Sequence, residues 1–253
     1  MHLIKQAFLI FVLIICVMGH AQEVHSAGAL VRAMHDRYGA VWYQSITFTQ
    51  KNTGFKSDGT QEGAETWYNA GVIPGKWRID LGSPESGNGY VMVDGTLTII
   101  QKDKVAGVQP HTDMLNLLSF DIYKQDPETT IEILKKEGVD LSQFHEETWE
   151  GKPVYVIGAK QGDLDSKQLW VERDTLVFVR EIEPVPSDPG EPHDIRLTHY
   201  HPLAGGWFAD SVEVYTWDGK QFFLQQYSDV HADVKLAPTV FDPQQFRGTH
   251  WER

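Results

Sequence analysis

The sequence predicts an α+β protein: one large, strongly curved antiparallel sheet, a half-barrel whose concave face is covered by a few helices. Three observations lead there. Apolar and polar residues alternate in short runs through most of the chain, as half-buried strands require. Helical spacing is confined to the amino end and to a stretch between residues 112 and 138. Helices and strands also do not alternate one for one, which excludes a parallel α/β fold.

The first helix is expected over 24–38, where Ala27, Leu30, Val31, Met34 and Tyr38 share one face and Gly39 can cap the end. Period-two runs follow at Ile46/Phe48, Glu65–Asn69, Trp77/Ile79/Leu81, Tyr90–Val93 and Leu97/Ile99. Asp113–Leu118 then forms a short apolar helical turn. Asp126-Pro127 is an N-cap followed by proline at the first helical position, and opens a helix through Ile131 and Leu134 to Gly138. Strand patterns return at Pro153–Ala159, Gln168–Glu172, Leu176–Ile182, Asp194–His201, Ser211–Trp217, Gln221–Ser228 and Val230–Leu236. Asp94-Gly95, Glu150-Gly151 and Asp218-Gly219 are hairpin signals between them. The four prolines of Glu183–His193 forbid helix and central strand alike, so that stretch reads as a long loop rather than a domain boundary.

The 253 residues carry a net charge of -13 with no basic cluster, which excludes nucleic acid as a partner. Residues 1–21 hold one lysine, an apolar run from Ala7 to Met18, and small residues at Gly19 and Ala21. Twelve apolar residues are too few for the roughly 20 of a bilayer-crossing helix, so the segment reads as a secretory signal peptide cleaved near Ala21, with the periplasm as destination. Residues 22–253 then form one domain with a net charge of -14 and no cysteine, since Cys16 leaves with the signal. Without disulfides, the core alone must hold the exported chain together.

A dozen adjacent strands do not stay flat; a sheet of that size twists and curls, and its hollow must be filled by helices or by a ligand. The eight tryptophans and twelve phenylalanines supply an apolar lining, although core packing is the ordinary role of any single one.

Within residues 42–101, the ordered set Ile46-Thr-Phe-Thr-Gln50, Thr60-Gln-Glu-Gly63, Thr66-Trp-Tyr68, Pro74-Gly-Lys-Trp-Arg78 and Val93-Asp-Gly-Thr-Leu97 resembles the LolA/LolB-like superfamily of periplasmic lipoprotein carriers. So do the closing Tyr227–Leu236 and Phe241-Asp-Pro243. That resemblance implies an eleven-stranded half-barrel, closed by helices, whose hollow receives lipid or lipoprotein acyl chains without catalysis or cofactor. It places Phe48, Trp67, Trp77, Ile79, Val93, Leu97 and Ile99 on the inward row, with Leu115 and Leu118 from the lid. The family's latch arginine, which precedes the proline of its Pro-containing turn, is replaced here by Ile73. Arg78 points away from Trp77 and Ile79 in a regular strand and is no obvious substitute.

Catalytic signatures are scarce. There is no Gly-x-Ser-x-Gly elbow, phosphate loop or His-Glu-x-x-His motif. The one dense titratable cluster is His193-Asp194 and Thr198-His-Tyr-His201, in which His199 and His201 could share a strand face as metal ligands, with His193 or Asp194 as a third. Surface histidines beside a proline loop explain it more simply. Three readings follow: a non-enzymatic lipid or lipoprotein carrier, an envelope sensor or scaffold of the same fold that binds membrane-protein partners, and, least favoured, a metal-dependent hydrolase.

Overall fold

A computed structural model of the chain describes residues 24–251. The expected signal segment lies outside the described residues.

Helix α1 (Ala27–Tyr38) opens on an N-cap, Ser26, whose Oγ accepts from the Ala29 amide, and it buries the five expected side chains. Six strands follow: β1 (Ser45–Phe55), β2 (Gln61–Val72), β3 (Lys76–Leu81), β4 (Gly89–Val93), β5 (Thr96–Gln101) and β6 (Lys104–Pro110). The helical passage comes next, with α2 (Met114–Ser119), a 3₁₀ turn at Asp121–Tyr123 and α3 (Pro127–Lys136). Seven more strands complete the sheet: β7 (Phe144–Trp149), β8 (Lys152–Ile157), β9 (Gln168–Glu172), β10 (Val177–Ile182), β11 (Pro192–Leu203), β12 (Gly206–Thr216) and β13 (Gln221–Ala232). A tail with 3₁₀ turns at Pro238–Phe241 and Pro243–Gly248 ends the described chain.

All thirteen strands form one open antiparallel sheet, β6-β5-β4-β3-β2-β1-β13-β12-β11-β10-β9-β8-β7. The two edges, β6 and β7, are neighbours in sequence, so the helical passage between them runs from one edge to the other over the concave face. The main core lies there. It is built from α1, α2, α3 and the inward row of the sheet, and includes Leu30, Met34, Ile46, Leu118, Leu134, Phe178 and Phe208.

Two strands escape the sequence pattern, and one pair of expected strands merges. The β6 side chains are mostly exposed, so no apolar alternation marks it. The β7 strand holds Glu146-Glu147, a pair that reads as a solvated loop; Glu146 instead lies on this edge strand beside Arg173 (3.3 Å). The expected strand at 221–228 and the first part of the one at 230–236 form a single strand, β13, with a bulge at Asp229 (φ 50°), and residues 233–236 lie beyond its end. The proline loop is confirmed except at its end, where Pro192 opens β11, a strand start that needs no amide donor.

The convex face is sealed by the tail. Val240, Phe241, Phe246 and Trp251 pack on Ala70, Val91 and Ile100. Arg78 is the anchor. Its guanidinium lies 3.9 Å from the Phe246 ring centroid, donates to Asp80 (2.8 Å), and donates to the carbonyls of Phe246 (3.0 Å) and Thr249 (2.6 Å).

Candidate functional site

The hollow left by this packing lies between α2 and the middle strands. Strand periodicity builds its floor: Phe48 of β1, Asn69 of β2 and Ile79 of β3 occupy one cross-strand row, and Gln50 and Trp67 the next. Leu115, Asn116 and Phe120 close it from above, and Leu197, Phe208, Val212 and Tyr227 form the far wall. Asp113 caps α2 by accepting from the Asn116 backbone amide (3.0 Å) and side chain (2.9 Å), so the lid helix is stitched at its first turn. Burial raises the Asp113 carboxyl above its ordinary range, and the Asn116 amide partly offsets this.

The cavity measures about 140 Å³. An engineered core cavity of about 150 Å³ takes one benzene. The hollow as it stands therefore has room for a ring or a few methylenes.

The side chains expected in the hollow divide into four groups. Phe48, Trp67, Ile79 and Leu115 line it. Trp77 and Leu118 are buried one layer behind: Trp77 lies against Phe120 (centroids 4.9 Å apart), and a Cβ on Gly71 would meet its ring at 2.8 Å. Leu97 and Ile99 extend the rows of Trp77 and Ile79 toward the β6 edge, outside the lining. Val93 belongs on the convex face. It pairs with Lys76 and Thr96 and packs on the tail clusters, because it sits one residue out of phase with Met92, the inward neighbour of Leu97.

Sequence reasoning missed the polar part of the lining. Gln50 and Asn69 are buried and line the cavity, Gln225 and Tyr227 join them from β13, and Asn52, also buried, lies one step along β1 past the lining. A signal existed, because Gln50 and Asn52 continue the period of Ile46 and Phe48, but their polarity hides the strand's inward phase. Tyr227 was missed for another reason, the left-handed Asp229 that interrupts the alternation of β13, and Phe208 lies on the part of β12 that precedes the expected strand at Ser211–Trp217.

The lid is tied to the turn that carries Ile73 and Pro74. Ile73-Pro74 is a cis peptide, Ile73 is buried, and the next residue, Gly75, takes φ 86°. The Gly75 amide donates to Asp121 Oδ2 (3.1 Å) in the 3₁₀ turn after α2. The tie thus runs from lid carboxyl to turn backbone. Burial, with a smaller contribution from Asp113, pushes the Asp121 carboxyl up to about 7, although the Gly75 bond opposes the rise. Its Oδ1 has no partner.

The histidines of the expected metal cluster do not converge. His193 Nε2 lies 3.0 Å from the Leu164 carbonyl, and His201 Nδ1 lies 3.0 Å from Asp210. His199 Nδ1 lies 3.1 Å from Thr198 Oγ1 and 3.2 Å from Ser211 Oγ. Asp194 is held by Arg180 (2.8 Å) and Arg196 (2.6 Å); burial alone would raise its carboxyl, but these two cations bring it below the ordinary range. The left-handed backbone at His199 explains the failure, since it breaks the alternation that would put His199 and His201 on one face. Among the described residues no group of three His, Cys, Asp or Glu side chains could hold a metal ion.

No family profile matches the chain, and no curated protein matches it in sequence. Solved structures do match in fold. A DUF1329 family protein from Desulfovibrio piger aligns over 85% of this chain and 95% of its own, with a TM-score of 0.55 at 16% identity. A LolA superfamily protein from Nitrosomonas europaea aligns over 86% and 98%, with a TM-score of 0.52 at 12% identity. A putative outer membrane lipoprotein-sorting protein domain from Vibrio parahaemolyticus aligns over 87% and 97%, with a TM-score of 0.52 at 10% identity. At these identities the likeness is one of architecture: the chain has the LolA-like fold, an open curved sheet wrapped around a few helices.

Proposed function

We propose that the protein is a non-enzymatic binding protein of the cell envelope that shelters an acyl chain of a lipid or lipoprotein beneath α2. The observation that supports this most is the hollow itself, an aromatic and aliphatic cavity under a six-residue lid on the concave face. The Vibrio structure of the same fold is described as a putative lipoprotein-sorting domain, and a leader of the kind read in residues 1–21 would deliver the chain to the periplasm. The driving force is ordinary: each methylene withdrawn from water is worth about 0.8 kcal/mol, so a chain of a dozen carbons repays the opening of a small lid.

The decisive experiment is organic extraction of the protein purified from the periplasm, followed by mass spectrometry, with displacement of a fluorescent acyl probe in parallel. Recovered lipid or probe displacement in the micromolar range supports the carrier; a lipid-free protein that ignores the probe sinks it. A second reading, an envelope sensor or scaffold, is favoured by one observation, the tight packing of Phe48, Trp77, Phe120 and Phe208, which leaves only about 140 Å³. In that case affinity capture from envelope extracts recovers a membrane-protein partner and no lipid.

A further inference from the structure

The cavity floor carries hydrogen-bonding groups that a plain hydrocarbon would leave unused. Asn69 Nδ2 donates to Gln50 Oε1 (3.1 Å), and Gln50 Nε2 donates to Asn52 Oδ1 (2.7 Å). The relay runs one way and stops at a donor: Asn52 Nδ2 is buried and has no partner. Directly across the β1–β13 ladder from Asn52 stands Gln225, a lining residue. Its Oε1 accepts from Tyr227 Oη (2.5 Å), and its amide nitrogen makes no hydrogen bond among the described residues.

Two amide donors with their own acceptors already engaged thus stand on opposed positions of adjacent strands, at the spacing of cross-strand neighbours. A group that satisfies both must bring lone pairs and no proton. The carboxyl in the lining does not compete, because both oxygens of Asp113 are taken by Asn116 on the lid side. A buried donor left unmade is costly, and a ligand acceptor removes that cost.

We infer that the cavity selects its ligand by an acyl carbonyl, held at the lining amide of Gln225 with Asn52 as its cross-strand neighbour just past the lining, while the alkyl chain runs toward Phe48, Ile79 and Leu115. This rests on the carrier reading above and narrows it from hydrocarbon in general to carboxylates and esters. A free fatty acid and an esterified lipid share the chemistry, and the probes separate them.

The test is competition against a fluorescent acyl probe by dodecanoate, methyl dodecanoate and tridecane, each delivered from the same cyclodextrin stock. Methyl dodecanoate should bind about tenfold more tightly than tridecane, the effect of roughly one net hydrogen bond. Dodecanoate binding as tightly as the ester points to free fatty acids, and weaker binding points to esterified lipid. In Asn52→Leu and Gln225→Met the preference over tridecane should collapse to less than twofold while tridecane binding persists, which also reports that the variants are folded. If Asn52→Leu fails to fold, Gln225→Met carries the test alone. Equal binding of ester and tridecane by the wild type, or a preference that survives in the folded variants, overturns the inference and leaves the carrier reading standing. Failure of all three compounds to bind removes both.

Discussion

Arg78 shows how a single side chain can be displaced from the role its position suggests. In a strand whose odd residues face the hollow, an even-numbered arginine must face out. There it is 2% exposed, paired with Asp80, itself 1% exposed. Such a pair tolerates burial only because its remaining donors are used, here on the tail carbonyls of Phe246 and Thr249, while His250 Nε2 reaches Asp80 Oδ2 at 2.8 Å. Arg78→Met would strand the Asp80 charge and release the tail together, so we expect a loss of about 3–5 kcal/mol in denaturant unfolding. Arg78→Met combined with Asp80→Leu should recover much of that loss, because no buried charge is left without a partner. If the double variant is as unstable as the single one, Arg78 stabilises the fold chiefly by anchoring the tail, and the orphaned Asp80 charge matters little.

The lid segment behaves as a unit because one carboxyl ties it to the sheet. Asp121 holds its proton to about pH 7 in the folded chain, against 3.8 when unburied. The folded state therefore binds more protons between those values, and its stability is complete below about pH 4 and falls as pH rises through 7. At about 1.4 kcal/mol per pKa unit, the rise from 3.8 to about 7 sets the loss by pH 8 at about 4 kcal/mol. Asp121→Asn keeps an acceptor for the Gly75 amide without the charge. It should flatten the pH dependence, leave stability near pH 4 unchanged, and slow exchange of the Gly75 amide at pH 8; an unchanged slope would show that Asp121 does not control the lid. The elements differ in how legible they were. α1, α3 and the strands from Trp77 to Ile99 were readable because caps and alternation agree with burial, as Gly39, Asp126 and the Asp94-Gly95 turn show. Edge strand β6 was not, since nothing on it is buried. The cavity was half legible. Its apolar row follows from period two, whereas Gln50, Asn69 and Gln225 look like surface residues until the fold closes over them.

The molecule as a whole distributes its rigidity unequally over the concave face. Helix α1 is locked by rings and hydrogen bonds: Trp42 stacks on Tyr123 at 3.8 Å, Tyr38 meets both edge-on, and Trp207 Nε1 donates to Tyr38 Oη (3.0 Å). Tyr123 in turn accepts from the Phe178 amide (3.1 Å), which pins the middle of the helical passage to β10. Helix α2 has no comparable fastening. It is six residues long, buries only Leu117 and Leu118, and depends on its Asp113 cap and the Asp121 tie. A cavity of about 140 Å³ must nonetheless enlarge to admit an acyl chain, so the opening should be confined to the weakest element above it. Native-state hydrogen exchange checks this. The amides of Leu117–Phe120 should exchange at least thirtyfold faster than those of α1, a gap of about 2 kcal/mol in opening free energy. Saturation with an acyl probe should alter protection in residues 111–126 and leave α1 and the tail as they were. Coincident exchange of α1 and α2 would mean that the helical layer lifts as one body, and access to the hollow would then cost a large part of the global stability.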